Sequence, residues 1–176
     1  MPYVANPLGA PWRPLRERGL GEDWSGYVTS ALRRYLESWL GTPYGVGQQQ
    51  PGAGVDCVRF VAAVLDFLRD SRTPLTLLPQ DAAFHDRAGA TAAMLRFRRA
   101  FAPIVPSDGS ELEPGDVLVT GPPHGGPGHA ILVGPDPGTT WEAGYGRVQR
   151  CGWVLPHRYR LFAVYRLGGR ERWPIA

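Results

Sequence analysis

Two residues of this chain have the types and settings that thiol chemistry requires. Cys57 follows a glycine-rich loop, GTPYGVGQQQPGAGV, and opens a strongly apolar run, CVRFVAAVLDFLRD. A helix beginning there exposes unpaired N–H groups and about half a positive charge at its first turn, which favours thiolate over thiol. His129 heads the apolar run HAILVG after a turn rich in glycine and proline, GPPHGGPG. A thiol nucleophile needs a base within hydrogen-bond reach, and the base needs a third group to hold its tautomer. A strand packed beside a buried helix can deliver that base. His124 competes from the same loop, but a Pro/Gly bend fixes a side chain poorly. His85 and His157 read as a surface helix residue and a surface turn residue.

Those residues need elements to hold them. The stretch EDWSGYVTSALRRYLESWL places Tyr27, Ala31, Leu32, Tyr35, Leu36 and Leu40 at steps of three and four, which predicts an amphipathic helix. Gly41 stops it and Pro43 prevents a restart. Residues 41–55 read as a Gly/Pro loop. The run from Cys57 is apolar on most faces, so it predicts a buried central helix, with Asp56 in the N-cap position. DAAFHDRAGATAAMLRFRRAF predicts one helix or two short ones, with Gly89 as the breaking point. Beyond residue 110 the pattern changes. DVLVT, HAILVG, TTWEA, RVQRCGWVL and RLFAVYRL are short β-branched and aromatic runs separated by Gly/Pro turns. Helices first and strands later indicate an α+β domain, its N-terminal helices packed on a C-terminal antiparallel sheet.

At 176 residues the chain has room for one domain, which leaves residues 1–22 as a Pro/Gly/Arg-rich arm, 23–168 as the folded domain and 169–176 as a tail. The formal charge of +3 is mild and mixed with acids, so it gives no reason to expect nucleic acid as a partner. No apolar run reaches membrane-spanning length, and the first residues lack the apolar core of a secretory signal; the expected compartment is the cytoplasm, unless another route exports the chain. Cys57, Cys151 and the histidines lack the C-x₂-C or H-x₃-H spacing of a zinc site, so no metal or other cofactor is expected. Cys151, in QRCGWV, reads as a buried filler residue.

GTPYGVGQQQPGAGVDCVRF, LEPGDVLV and GHAILVG, in that order, resemble the NlpC/P60 family of papain-like cysteine peptidases. The resemblance spans roughly residues 24–167. It implies a fold with the nucleophile on a core helix and the histidine on an antiparallel sheet. It also implies Cys57 as nucleophile, His129 as general base and then acid, and Tyr44 as a hydroxyl near the oxyanion. Asp56 matches the acid beside the nucleophile and is read as a cap and positioning group. Pro114, Gly115 and Asp116 match a structural turn. The third member of the family's site is a polar residue on the strand after the histidine. Glu142 in TTWEAG fits best, and Thr140 or Trp141 takes its place if the register slips. The family has small residues directly after the nucleophile, where this chain has Val58 and Arg59. Arg59 either lines the cleft and binds a substrate carboxylate or faces solvent. Gln48, Gln49 and Gln50 read as a solvated loop, the alternative being that one of them imitates the oxyanion glutamine of papain-like enzymes.

The expected activity is therefore cleavage of peptide or amide bonds in cell-wall peptides, with a phage tail or gene-transfer particle as the favoured setting and its proteins as partners, and recycling of wall peptides inside the cell or injection as an effector as the other settings. A thiol acyltransferase of the same fold and a non-catalytic assembly module are the alternatives.

Overall fold

The structure is a computed structural model that describes residues 24–69, 89, 93, 102–104, 112, 114–122, 124–144, 146–152 and 160–166. The arm, the tail, His85 and His157 lie outside the described residues. Helix α1 (Trp24–Glu37) is followed by a short hairpin, β1 (Gln49–Gln50) and β2 (Gly54–Val55), and then by α2 (Cys57–Arg69). The remaining strands are β3 (Ala102–Ile104), β4 (Val117–Gly121), β5 (His129–Val133), β6 (Thr139–Gly144), β7 (Arg147–Gly152) and β8 (Arg160–Arg166). Strands β3 to β8 form one six-stranded antiparallel sheet in the order β3-β8-β4-β5-β6-β7. Among the described residues no helix is long and apolar enough to cross a membrane.

The α+β architecture matches the sequence reading, and α2 is the buried central helix. Every residue from Cys57 to Leu65 is buried. All of their side chains except that of Arg59 form one core with Leu32, Leu36 and Trp39 and with Val117, Val119, Ala130, Leu132, Trp141, Ala143 and Val148 of the sheet. Aromatic contacts tie the helices together. The Tyr35 ring stacks on Phe67 with centroids 4.1 Å apart, and Trp39 meets Phe60 edge-on at 5.8 Å. Such pairs add about 0.5–1.5 kcal/mol each beyond the area they bury.

Three sequence expectations change. Leu40 was expected on the apolar face of α1 but is 57% exposed, because the helix ends at Glu37 and the following turn buries Trp39 instead. The loop 41–55 contains the β1–β2 hairpin, too short to show any periodicity. Gly89, the expected breaking point, is itself helical and buried, as is Ala93, and the residues beside them lie outside the described ones. Strand β3 had no sequence signal, since Pro103 argues against a strand. It is tolerated here because β3 is an edge of the sheet, paired only with β8 among the described strands.

The opposite edge is covered. Residues 41–45 run along β7, with Gly41 N–H donating to Val148 O at 3.0 Å, Val148 N–H to Thr42 O at 2.7 Å and Tyr44 N–H to Gly146 O at 2.8 Å. On its other side the same segment bonds β2, through Val55 N–H to Pro43 O and Gly45 N–H to Val55 O, both at 3.0 Å. The residues leading into α2 are thereby fastened to the sheet. This continuity sets where the first turn of α2 sits relative to β5 and β6.

Candidate active site

Asp56 fixes the start of α2. Its Oδ1 accepts the Arg59 N–H at 2.9 Å, the hydrogen bond of an N-cap, and its carbonyl accepts the Phe60 N–H at 2.8 Å. Its Oδ2 accepts the Gly47 N–H at 3.1 Å and forms an ion pair with the Arg59 guanidinium. Both side chains are buried, so Arg59 does not face solvent. Its charge is placed against Asp56, where it offsets the cost of burying a carboxylate beside the helix start.

Cys57 is the first residue of α2 and is buried. Its thiol lies within the electrostatic reach of the imidazole of His129, the first residue of β5. The other side of that ring meets Glu142, with His129 Nε2 2.7 Å from Glu142 Oε2. With Nε2 engaged by Glu142, Nδ1 is the ring nitrogen left available to Cys57. Burial pushes the His129 pKa down, but the hydrogen bonds and negative charges of Cys57 and Glu142 outweigh it and raise the value to about 10. Burial likewise pushes Glu142 up; its hydrogen bonds from His129, Gln149 and Cys151, with the imidazolium charge, overcome this and hold it below the ordinary carboxylate range. The two shifts agree. Each group stabilises the charged form of the other.

Sheet register decides which residue of TTWEAG meets the histidine. Trp141 pairs with Leu132 of β5, and Glu142 pairs with Gln149 of β7. Trp141 and Ala143 point into the helical core, so Glu142 points to the other face with Gln149, its cross-strand partner. Thr140 lies on the face of Glu142 but two residues away, opposite Cys151. The alternatives Thr140 and Trp141 are thus not the residues brought to His129.

Tyr44 is within the electrostatic reach of Cys57. Burial, then the charges of Cys57 and Asp56, raise its pKa to about 12 against the opposing effect of Arg59. The phenol therefore stays protonated at neutral pH and can donate. His124 is exposed. Gln49 and Gln50 form β1 and are exposed, while the Gln48 side chain folds over Gly54, where a Cβ would stand 1.6 Å from its Oε1. Cys151 is not a buried filler: it is partly exposed, and its Sγ–H donates to Glu142 Oε1 at 3.5 Å. Both cysteines are free. Sequence reasoning missed Gln149, which donates to the same oxygen at 2.9 Å. The only signal for it was its place in a strand following TTWEAG. Among the described residues, no group of three or more His, Cys, Asp and Glu side chains is arranged to hold a metal ion.

No family model matches the sequence, and no curated protein matches it. Solved structures do. NlpC2 from Trichomonas vaginalis superposes with a TM-score of 0.57 at 13% identity, covering 80% of this chain and 46% of that one. The NlpC/p60 domain of the peptidoglycan hydrolase SagA gives 0.50 at 19% identity, covering 78% of this chain and 97% of the domain. The chain has the NlpC/P60 fold. The peptidoglycan hydrolase RipB from Mycobacterium tuberculosis shares the NlpC/P60 likeness, with a TM-score of 0.51 at 20% identity over 91% of this chain and 75% of that one. The chain spans less than half the length of the two Trichomonas vaginalis proteins it matches. At these identities the likeness establishes the NlpC/P60 fold, and the chemistry must be argued from the residues the fold brings together.

Proposed function

We propose that the chain is a cysteine hydrolase that cleaves peptide or amide bonds of bacterial cell-wall peptides through an acyl-enzyme on Cys57. The observation that carries this reading is the Cys57 thiol at a helix N-terminus within the electrostatic reach of His129, whose imidazole is itself paired with the Glu142 carboxylate. That SagA and RipB, which share the fold, are peptidoglycan hydrolases supports the substrate class.

The steps follow from the geometry. The proton of the Cys57–His129 pair rests on the imidazole, and the sulfur attacks the scissile carbonyl carbon. A C–S bond forms and the carbonyl electrons move to oxygen. The Cys57 N–H, at the first turn of α2, and the Tyr44 hydroxyl donate to that oxyanion. The oxyanion collapses, the C–N bond breaks, and His129 returns the proton to the leaving amine. Water then attacks the thioester with His129 as base. The C–S bond breaks, the acid product leaves, and the thiol is restored. Glu142 keeps the imidazole oriented and stabilises its cation in both halves of the reaction.

Digestion of purified cell-wall peptides followed by mass spectrometry tests the reading. Product masses whose sum exceeds the substrate by one water are expected, and Cys57→Ala abolishes them while leaving the circular dichroism spectrum unchanged. Products that gain an amine or alcohol acceptor instead of water would make the chain an acyltransferase; full activity in Cys57→Ala would remove the mechanism. The phage-tail or gene-transfer-particle setting belongs to the same proposal, and co-sedimentation of the chain with such particles tests it.

A further inference from the structure

We propose that Gln149 and Cys151 of β7 are positioning residues that clamp one oxygen of Glu142 and so hold its other oxygen on His129. The proposal rests on Glu142 as the third member of the site. A carboxylate at the end of a glutamate turns easily about its last torsion, which is broad. Here both oxygens are engaged. Oε2 meets His129 Nε2 at 2.7 Å, while Oε1 accepts Gln149 Nε2–H at 2.9 Å and Cys151 Sγ–H at 3.5 Å. The strand register places these donors. Gln149 is directly opposite Glu142; Cys151 is opposite Thr140 and so diagonal to Glu142 on the same face. Glu142 is 8% exposed, and a carboxylate that dry needs protein donors in place of water.

The clamp also gives the second cysteine a task unlike that of the first. Burial and the facing Glu142 charge push the Cys151 thiol up to about 11, so at neutral pH it keeps its proton and remains a donor. It is a proton-bearing ligand of the carboxylate rather than a second nucleophile. The titratable and charged groups around Glu142 are His129 on β5, Cys57 on α2 through His129, and Cys151 on β7, with exposed Arg147 opposite Gly144 on the same face.

The experiment uses the full chain labelled with glutamate ¹³C-enriched at the side-chain carboxyl, the Glu142 signal being assigned by its loss in Glu142→Gln. Removing a donor from the charged form raises the carboxyl pKa. Gln149→Leu is expected to move the Glu142 titration midpoint up by about one pH unit. Cys151→Ala moves it up by less, and Cys151→Ser, which keeps a donor, restores it. Gln149→Leu also lowers kcat on cell-wall peptides with KM unchanged, because the clamped groups do not touch the bound ground state. A Glu142 midpoint identical to wild type in folded Gln149→Leu and Cys151→Ala overturns the proposal. If the wild-type chain cleaves no cell-wall peptide, the hydrolase reading falls, and the carboxyl titration still decides the clamp by itself.

Discussion

Replacing Glu142 with glutamine removes a negative charge beside His129 while keeping the shape of the side chain. The magnitude follows from the contact. With Nε2 and Oε2 2.7 Å apart, the charge centres of imidazolium and carboxylate stand roughly 4 Å apart. At an effective dielectric constant of about 20 their attraction is about 4 kcal/mol. The His129 side chain is 21% exposed, so water screens part of this, leaving roughly 2–4 kcal/mol. At 1.36 kcal/mol per pH unit that corresponds to roughly 1.5–3 units. His129, raised to about 10 in the native chain, should therefore titrate about 1.5–3 units lower in Glu142→Gln. The assay is a pH titration of the His129 ring by ¹⁵N NMR, with the alkaline limb of kcat/KM moving down in parallel. Stability carries the same signature. A pKa raised in the folded state stabilises fully below the unfolded value of 6.5, and that stabilisation is lost as pH rises toward about 10. The native chain should lose thermal stability across that window, and Glu142→Gln should lose less of it. A His129 midpoint that does not move when Glu142 becomes neutral would refute the coupling and with it the assigned role of Glu142.

Three further outcomes are expected. Tyr44→Phe should lower kcat by about 10²-fold with the fold intact, since it deletes one of the two proposed oxyanion donors; an unchanged kcat removes Tyr44 from the mechanism. Asp56→Ala should cost about 3–5 kcal/mol in urea unfolding, because it removes both the cap of α2 and the carboxylate facing a buried guanidinium; a loss under about 1 kcal/mol shows that neither matters. Iodoacetamide at pH 6 to 7 should label Cys57 faster than Cys151, whose thiol is pushed up to about 11 by burial and by Glu142; equal rates at the two sites count against the Cys57–His129 pair.

The parts legible in the sequence are those with a local physical cause. Helix α2 announces itself by an apolar run after a glycine-rich loop, and Asp56 caps it because a short carboxylate in front of a helix reaches the third backbone N–H. The strands of the last third have the β-branched alternation and turn residues that local sterics favour. The end of α1 was less legible. Leu40 continues the helical spacing, but the helix stops at Glu37, so Trp39 takes the buried place. The hairpin β1–β2 has two residues per strand, which is too few for a period to show.

The candidate site divides along the same line. The proposed nucleophile and base could be picked from the chain because each sits at the start of an element, where backbone electrostatics and side-chain orientation are set within a few residues. Their meeting, the choice of Glu142 over its neighbours, and the support of Gln149 and Cys151 depend on how β5, β6 and β7 are aligned. A shift of one residue would turn Glu142 inward and Trp141 outward. Core packing against α2 excludes that shift, because Trp141, Ala143 and Val148 must all be buried together. Residue types and spacing were therefore settled by the chain itself, whereas the contacts between side chains far apart in sequence were decided by burial summed over the whole sheet.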